Sequence, residues 1–338
     1  MSNLPIDFIH IGLGKCASTY LQNIFNNQPD YSIIDLKGVV EAIHENARQG
    51  SDPQQFPNIN VNFNHPPDHE DKKFTIASDE DFSFISEPKH YECIKHLHGL
   101  SAHFLGKARL TSKILLMIRN PMEWLRAAHE QSIKGGRFES YSLFFKKEKS
   151  YLKNSLDLQK VLSAYSNFFE VITLAAENLR ENPDEYWKLY AEKLGVTAPN
   201  KELLDQLLNL KITGNSSLND RSLKLAALNK FSSLKLECLQ ALGDYNTYMV
   251  EESKANILYC QHERWSNRRM VEFASDEQLN KLTSILDGFD TENFNNVYID
   301  NEMKDHLLEH FMKPLEKINT VSCELKESYI KSIEEAAI

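Results

Sequence analysis

The sequence predicts an α/β fold: a three-layer sandwich of helices about a central, mainly parallel sheet, with a helical C-terminal extension. Two observations predict the sandwich and a third the extension. Short apolar runs alternate with helix-length segments as far as Asn219, the pattern of parallel strands joined by crossover helices. The runs are short, four or five residues each. Beyond Asn219 such runs fade and apolar residues recur at helical spacing. A division follows, with residues 1–230 as the α/β core and 231–338 as a helical extension packed on it.

In chain order, the strands are expected at Phe8–Ile11, Ser32–Leu36, Phe74–Ala77, Ile114–Ile118 and Val171–Leu174. The first ends in a Gly-rich turn and opens a helix with Tyr20, Leu21, Ile24 and Phe25 on its apolar side. Asn120-Pro-Met-Glu123 and Asn182-Pro-Asp-Glu185 each place a capping Asn before Pro at the first helical position, with Glu three residues after the cap. Gly135-Gly136 and Gly195 supply helix stops. Arg221–Leu242 and Asp276–Leu286 read as helices, the second opened by Ser275-x-x-Gln278. Gly50–Lys73 and Gly135–Tyr151 read as irregular and are long enough to be functional loops. The aromatic and basic residues of the second (Arg137, Phe138, Tyr141, Phe144, Phe145, Lys146, Lys147) suit either a cover over a nucleotide or an amphipathic helix.

A formal charge of −10 argues against a nucleic-acid or anionic-membrane surface, so an anionic ligand must be caught by a local set of donors. No segment approaches the ~20 apolar residues that span a bilayer, and Met1–Lys15 has no basic stretch followed by an apolar run. A soluble, cytoplasmic protein is expected. The five cysteines, Cys16, Cys93, Cys238, Cys260 and Cys323, are scattered without a CxxC pair and read as reduced thiols. His65, His69, His96 and His98 lack a third ligand at metal-binding spacing and read as solvent-facing or acceptor-contacting, so no metal site is expected.

Chemistry concentrates in three places. Gly12-Leu-Gly-Lys-Cys-Ala-Ser-Thr19 follows a strand and opens a helix, where unpaired amides and the positive end of the helix dipole favour an anion. Lys15 adds a charge and Ser18 and Thr19 add hydroxyls. A triphosphate loop would read GxxxxGK[ST]; here Cys16 follows Lys15 and Ile9 stands at the first Gly position, so the magnesium-binding hydroxyl is not in its usual place. Arg119 ends a buried strand just before a capped helix, which delivers a permanent forked cation to the carboxyl edge of the sheet. Ala77-Ser-Asp-Glu80 closes the third strand at the same edge, where Glu80 can act as a base and Asp79 points the other way.

HIGLGKCASTYLQ resembles the 5'-phosphosulfate loop of the sulfotransferase family that uses 3'-phosphoadenylyl sulfate (PAPS), typically GxxKxGTTxLQ and closest here to bacterial members. The run at Arg119 is similar to the family's Arg-x-Pro element for the 3'-phosphate. Its Ser eight residues later falls on Ala127, leaving Arg126, His129 or Ser132 as substitutes. Ala77-Ser-Asp-Glu80 looks like the bacterial Ser-Ser-Glu, and Asn215-Ser-Ser-Leu218 like an NxSL segment near the nucleotide. The segment Ala176 to Val196 is similar to a strand-plus-helix ending in LGV, and Gly136 to Phe144 to the loop after the Arg-x-Pro helix. The likeness spans residues 7 to about 230.

The resemblance implies a P-loop NTPase-like fold with PAPS as co-substrate and no metal. The donor would be held by Gly12, Gly14, Lys15, Cys16, Ala17, Ser18, Thr19, Arg119, Arg126, His129, Asn215 and Ser217. Lys15 would stabilise charge and Glu80 would serve as base. The acceptor would be a hydroxyl, of a glycan or glycolipid, since polar, His-rich and aromatic loops suit sugars. A nucleotide kinase or NTPase, or a non-catalytic nucleotide-binding relative, is the alternative.

Overall fold

The computed structural model describes residues 5–50, 72–83, 91–134, 141–209 and 297–338. The predicted helices at Arg221–Leu242 and Asp276–Leu286 lie outside these residues, as does most of the Gly50–Lys73 stretch. The chain divides into two compact units, one of Met1–Trp124, Glu148–Asn215 and Ile299–Ile338, the other of Leu125–Lys147 and Ser216–Tyr298.

In the first unit, five strands form one parallel sheet: β1 (Phe8–Gly12), β2 (Tyr31–Ile33), β3 (Phe74–Ser78), β4 (Lys113–Ile118) and β5 (Glu170–Ala175). Their order is β2-β3-β1-β4-β5, with Ile9 paired to Ala77 on one side and Ile114 on the other. The segment after β1 crosses toward β2 and the segment after β4 toward β5. The carboxyl ends of β1 and β4 therefore flank the point where strand order reverses, the place where open parallel sheets leave a crevice for ligands.

Helices cover the sheet for reasons visible in their residues. In α1 (Ser18–Asn27), Leu21, Ile24 and Phe25 are buried at helical spacing. Phe25 meets Phe8 of β1 edge-on at 5.9 Å and stacks on Tyr190 at 6.2 Å, which places α1 and α8 (Pro183–Leu194) on the β1 face that carries Phe8. Fully burying each such side chain contributes about 1.5–3 kcal/mol. Gly195 ends α8 at φ 76°, a left-handed conformation that Gly adopts without strain. Between these elements lie α2 (Lys37–Arg48), α3 (Tyr91–Ala108), α4 (Pro121–Lys134), α5 (Tyr141–Ser155), α6 (Leu158–Tyr165) and α7 (Asn178–Glu181). After α8 come α9 (Lys201–Asn209), α10 (Asn301–Leu307), α11 (Lys313–Glu316) and α12 (Cys323–Glu335), with a π-helical turn, Leu308–Met312, joining α10 to α11. Lys149 pairs with Asp300 at 2.7 Å and Lys153 with Glu302 at 2.9 Å, joining α5 to α10.

Two expectations need correction. The stretch Gly135–Tyr151 is not irregular throughout, because α5 begins at Tyr141 and buries Tyr141, Phe144, Phe145, Tyr151 and Leu152 at helical spacing. Its aromatic rings are spent on packing: within the second unit Tyr141 stacks on Phe145 at 5.9 Å and meets Tyr298 at 5.7 Å. His98 is not solvent-facing; it is buried in α3.

Buried histidines give the fold a pH signature. Desolvation pushes His10 of β1 down to about 3 and His98 down to about 4, so both stay neutral when folded. Below their ordinary value of 6.5 the unfolded chain takes protons that the folded chain refuses, and stability falls as pH falls. Each His contributes on the order of 1 kcal/mol per pH unit in that window. Asp79, pushed up to about 6 by burial, works oppositely between about 6 and its ordinary 3.8, since the folded state takes its proton first. The expected outcome is a urea midpoint that drops between pH 7 and pH 5, with a shallower slope in His98→Leu. Equal slopes in the two proteins would contradict the assignment.

Candidate functional site

The turn between β1 and α1 has an unusual backbone. Gly14, Lys15 and Ala17 all have positive φ, at 68°, 55° and 66°. For Lys15 and Ala17 this costs about 1–2 kcal/mol each, because Cβ crowds the following carbonyl. Such strain persists only where surrounding contacts impose it, and for Lys15 the contacts are visible. The indole Nε1 of Trp124 donates to the carbonyls of Leu13, at 3.0 Å, and Gly14, at 2.8 Å. Arg119 Nη1 donates to the carbonyl of Lys15 at 3.3 Å.

Three successive carbonyls are thus drawn toward the start of α4. In a trans peptide the carbonyl of one residue and the amide of the next point in opposite directions, and the chain has no cis peptide bonds among the described residues. The amides of Gly14, Lys15 and Cys16 therefore face away from Trp124 and Arg119. The result is a row of donors of the kind that forms an anion nest. At the mouth of α1, Ser18 is buried and its hydroxyl has no hydrogen-bond partner among the described residues. A Cβ at Gly12 would stand 3.1 Å from that Ser18 Oγ and 3.9 Å from Glu80 Cβ, so glycine lets the end of β1 pack closely against Ser18 and the Glu80 side chain.

The β3 end faces the same corner. Asp79 caps a short 3₁₀ turn, Glu80–Phe82, by accepting the Asp81 amide at 2.9 Å on one oxygen, and Asp79, Glu80 and Asp81 are all half-exposed. Buried Ser83 donates to the carbonyl of Gly12, tying this turn to the loop. His44 meets the Asp81 carbonyl at 2.6 Å. Burial pushes the Asp81 carboxyl up, Glu80 adds to the shift, and Lys15 opposes it, so Lys15 and the acidic turn lie within electrostatic reach. Cys16 is wholly buried; desolvation holds its thiol far above the usual thiol range, with Arg119 opposing and Glu177 and Glu80 adding. It stays protonated and is no nucleophile. Its backbone amide, rather than its sulfur, is what it offers a ligand.

The chain matches no family model and no curated protein.

Gly12, Gly14, Lys15, Cys16, Ala17, Ser18 and Thr19 share the loop and helix start, and Glu80 and Arg119 reach it from the neighbouring strands. Arg119 is shared between the Lys15 carbonyl and Glu123, at 3.4 Å. Arg126 and His129 belong to the second unit. There Arg126 is exposed, whereas His129 is buried with its ring 5.5 Å from Tyr141 and 5.2 Å from Phe144. Asn215 and Ser217 lie outside the described residues. Four residues that shape the site escaped the sequence reading: Ser83, Trp124, Glu177 and Tyr329. Only Trp124 carried a local signal, a large aromatic one turn beyond Asn120 on a helix that follows the Arg119 strand.

Two substitutions test the loop's construction. Trp124→Phe leaves the Leu13 and Gly14 carbonyls without their donor and is expected to cost about 1–3 kcal/mol in urea denaturation. Ala17→Gly relieves a left-handed alanine and is expected to be neutral or to stabilise by up to about 1 kcal/mol. A destabilised Ala17→Gly would show that the loop is not strained.

Proposed function

We propose that the protein is a sulfotransferase that moves the sulfuryl group of PAPS to an acceptor hydroxyl, of a glycan or glycolipid, on a P-loop NTPase-like three-layer sandwich. The observation that carries this reading is the backward turn of the Leu13, Gly14 and Lys15 carbonyls, which turns the next three amides away from Trp124 and Arg119 at the switch point between β1 and β4. Lys15, Arg119 and the unpartnered Ser18 hydroxyl gather around it in a chain of net charge −10. Such a concentration of donors fits a phosphosulfate group. The sequence likeness to the 5'-phosphosulfate loop supports the same reading, and the left-handed Ala17 stands where GxxKxGTTxLQ has Gly.

In the reaction, the acceptor oxygen forms a bond to sulfur as the bridging sulfur–oxygen bond to the 5'-phosphate breaks. The bond's electron pair leaves on the phosphate oxygen, giving 3'-phosphoadenosine 5'-phosphate. Lys15 and the loop amides neutralise the charge that grows there, the kind of preorganised stabilisation that dominates loose group transfers. Glu80, the acid of the β3 turn nearest Gly12, takes the acceptor proton. Asp79 holds the Asp81 amide on one oxygen, whereas the Glu80 side chain is the one that lies beside Gly12.

Calorimetric titration with 3'-phosphoadenosine 5'-phosphate, without added metal, tests the donor assignment. Binding is expected in the unaltered chain and roughly tenfold or more weaker in Lys15→Ala and Arg119→Ala, in line with hydrogen bonds to charged groups. No binding, or equal binding in both variants, would refute it; binding of ATP only with magnesium would favour a nucleotide kinase. With labelled donor and a glycan panel, Glu80→Gln is expected to lower turnover about 10²–10⁴-fold with little change in nucleotide affinity.

A further inference from the structure

The cation of the site is held from behind by the far end of the chain. Buried Glu177, just past β5, accepts the backbone amide of Asn120 on Oε1 at 2.9 Å and the phenol of Tyr329 on Oε2 at 2.5 Å. Tyr329 is wholly buried in α12. One turn further along α12, the Ser332 hydroxyl shares its proton between Asn120 Oδ1 at 3.1 Å and the Tyr329 carbonyl at 2.8 Å. The same Asn120 oxygen accepts the Met122 amide at 2.9 Å and so caps α4. Asn120 is thus gripped at its main chain and its side chain, and both grips lead to α12. It directly follows Arg119, whose guanidinium holds the Lys15 carbonyl, and it begins the turn that carries Trp124 to the Leu13 and Gly14 carbonyls.

We propose that Tyr329 and Ser332 of α12, with Glu177 as the link, are positioning residues for the anion site, fixing the Arg119–Asn120 turn so that the loop amides stay aimed at the donor. The assignment rests on the donor reading above. Neither α12 residue needs to touch a ligand. A carboxylate with both oxygens engaged by a backbone amide and a buried phenol holds its orientation better than one bonded once, and burial strengthens both bonds. Geometric errors behind a binding site are costly because donor placement must be held to within about 0.5 Å. A purely structural role for α12 is supplied separately by Ile333, also wholly buried, which takes no part in the hydrogen bonds.

A double-mutant cycle on the full chain tests this, with 3'-phosphoadenosine 5'-phosphate as probe and urea denaturation in parallel. Tyr329→Phe keeps the ring and removes only the hydroxyl. It is expected to weaken binding roughly three- to tenfold, the size of one hydrogen bond to a charged group acting through a neighbour. In an Arg119→Ala background the same change is expected to cost less affinity, since one of the two groups it positions is gone and only the Trp124 contact remains. Ile333→Val, which loosens packing on the same helix, is expected to lower the urea midpoint without moving affinity. Unaltered affinity in Tyr329→Phe, or the same loss with and without Arg119, would overturn the proposal while leaving the donor reading intact. Failure of the unaltered chain to bind the probe would overturn the donor reading, and this proposal with it.

Discussion

The site depends on one set of contacts, the donation of Trp124 and Arg119 into the carbonyls of Leu13, Gly14 and Lys15. A Gly-rich turn can adopt many conformations, and most of them would present a mixture of carbonyls and amides to an incoming anion. Drawing three carbonyls to one side leaves amides on the other, because each peptide unit is rigid. The left-handed backbone at Gly14 and Lys15 accompanies that arrangement. It is imposed by a buried indole and a guanidinium on a different strand-to-helix junction, so the loop's shape is a property of the sheet that brings β1 and β4 together.

From this follows the distribution of charge. A protein with net charge −10 repels anions on average, yet cationic and amide donors converge at one corner. The acidic turn at Asp79–Asp81 lies against the same corner, within reach of Lys15, and its members are differentiated by their contacts. Asp79 caps the turn, and Glu80 is the acid whose side chain lies beside Gly12. Neighbouring carboxylates acquire distinct roles through different solvation and bonding rather than through different chemistry. Behind this corner, Glu177 gathers the amide after Arg119 and the phenol of Tyr329, which makes the C-terminal helix part of the core.

Much of the fold could be read directly. Each of the five strands overlaps its predicted position, and Gly195 ends α8 as its left-handed conformation requires. The second strand is shorter than expected, Tyr31–Ile33, because Leu36 has already turned into the start of α2. Of the two readings open for the aromatic and basic residues before Tyr151, the amphipathic helix holds in α5, with Lys146 and Lys147 exposed and Tyr141, Phe144, Phe145 and Leu152 buried. His98 looked like a surface residue because histidine has no fixed preference for burial, and only the packing of α3 decides it.

What the amino-acid order determined alone is local: where strands begin, where glycines permit left-handed turns, and which residue types (Lys15, Ser18, Glu80, Arg119) cluster at strand ends. These follow from periodicity and from steric rules that act over a few residues. Tertiary structure decided the rest. The Trp124 indole finds its acceptors 110 and 111 residues away, Glu177 meets Asn120 across 57 residues, and Tyr329 meets Glu177 across 152. No local pattern encodes such pairs, since they exist only once parallel strands have been placed side by side and the buried polar groups must find partners among whatever the fold has brought near.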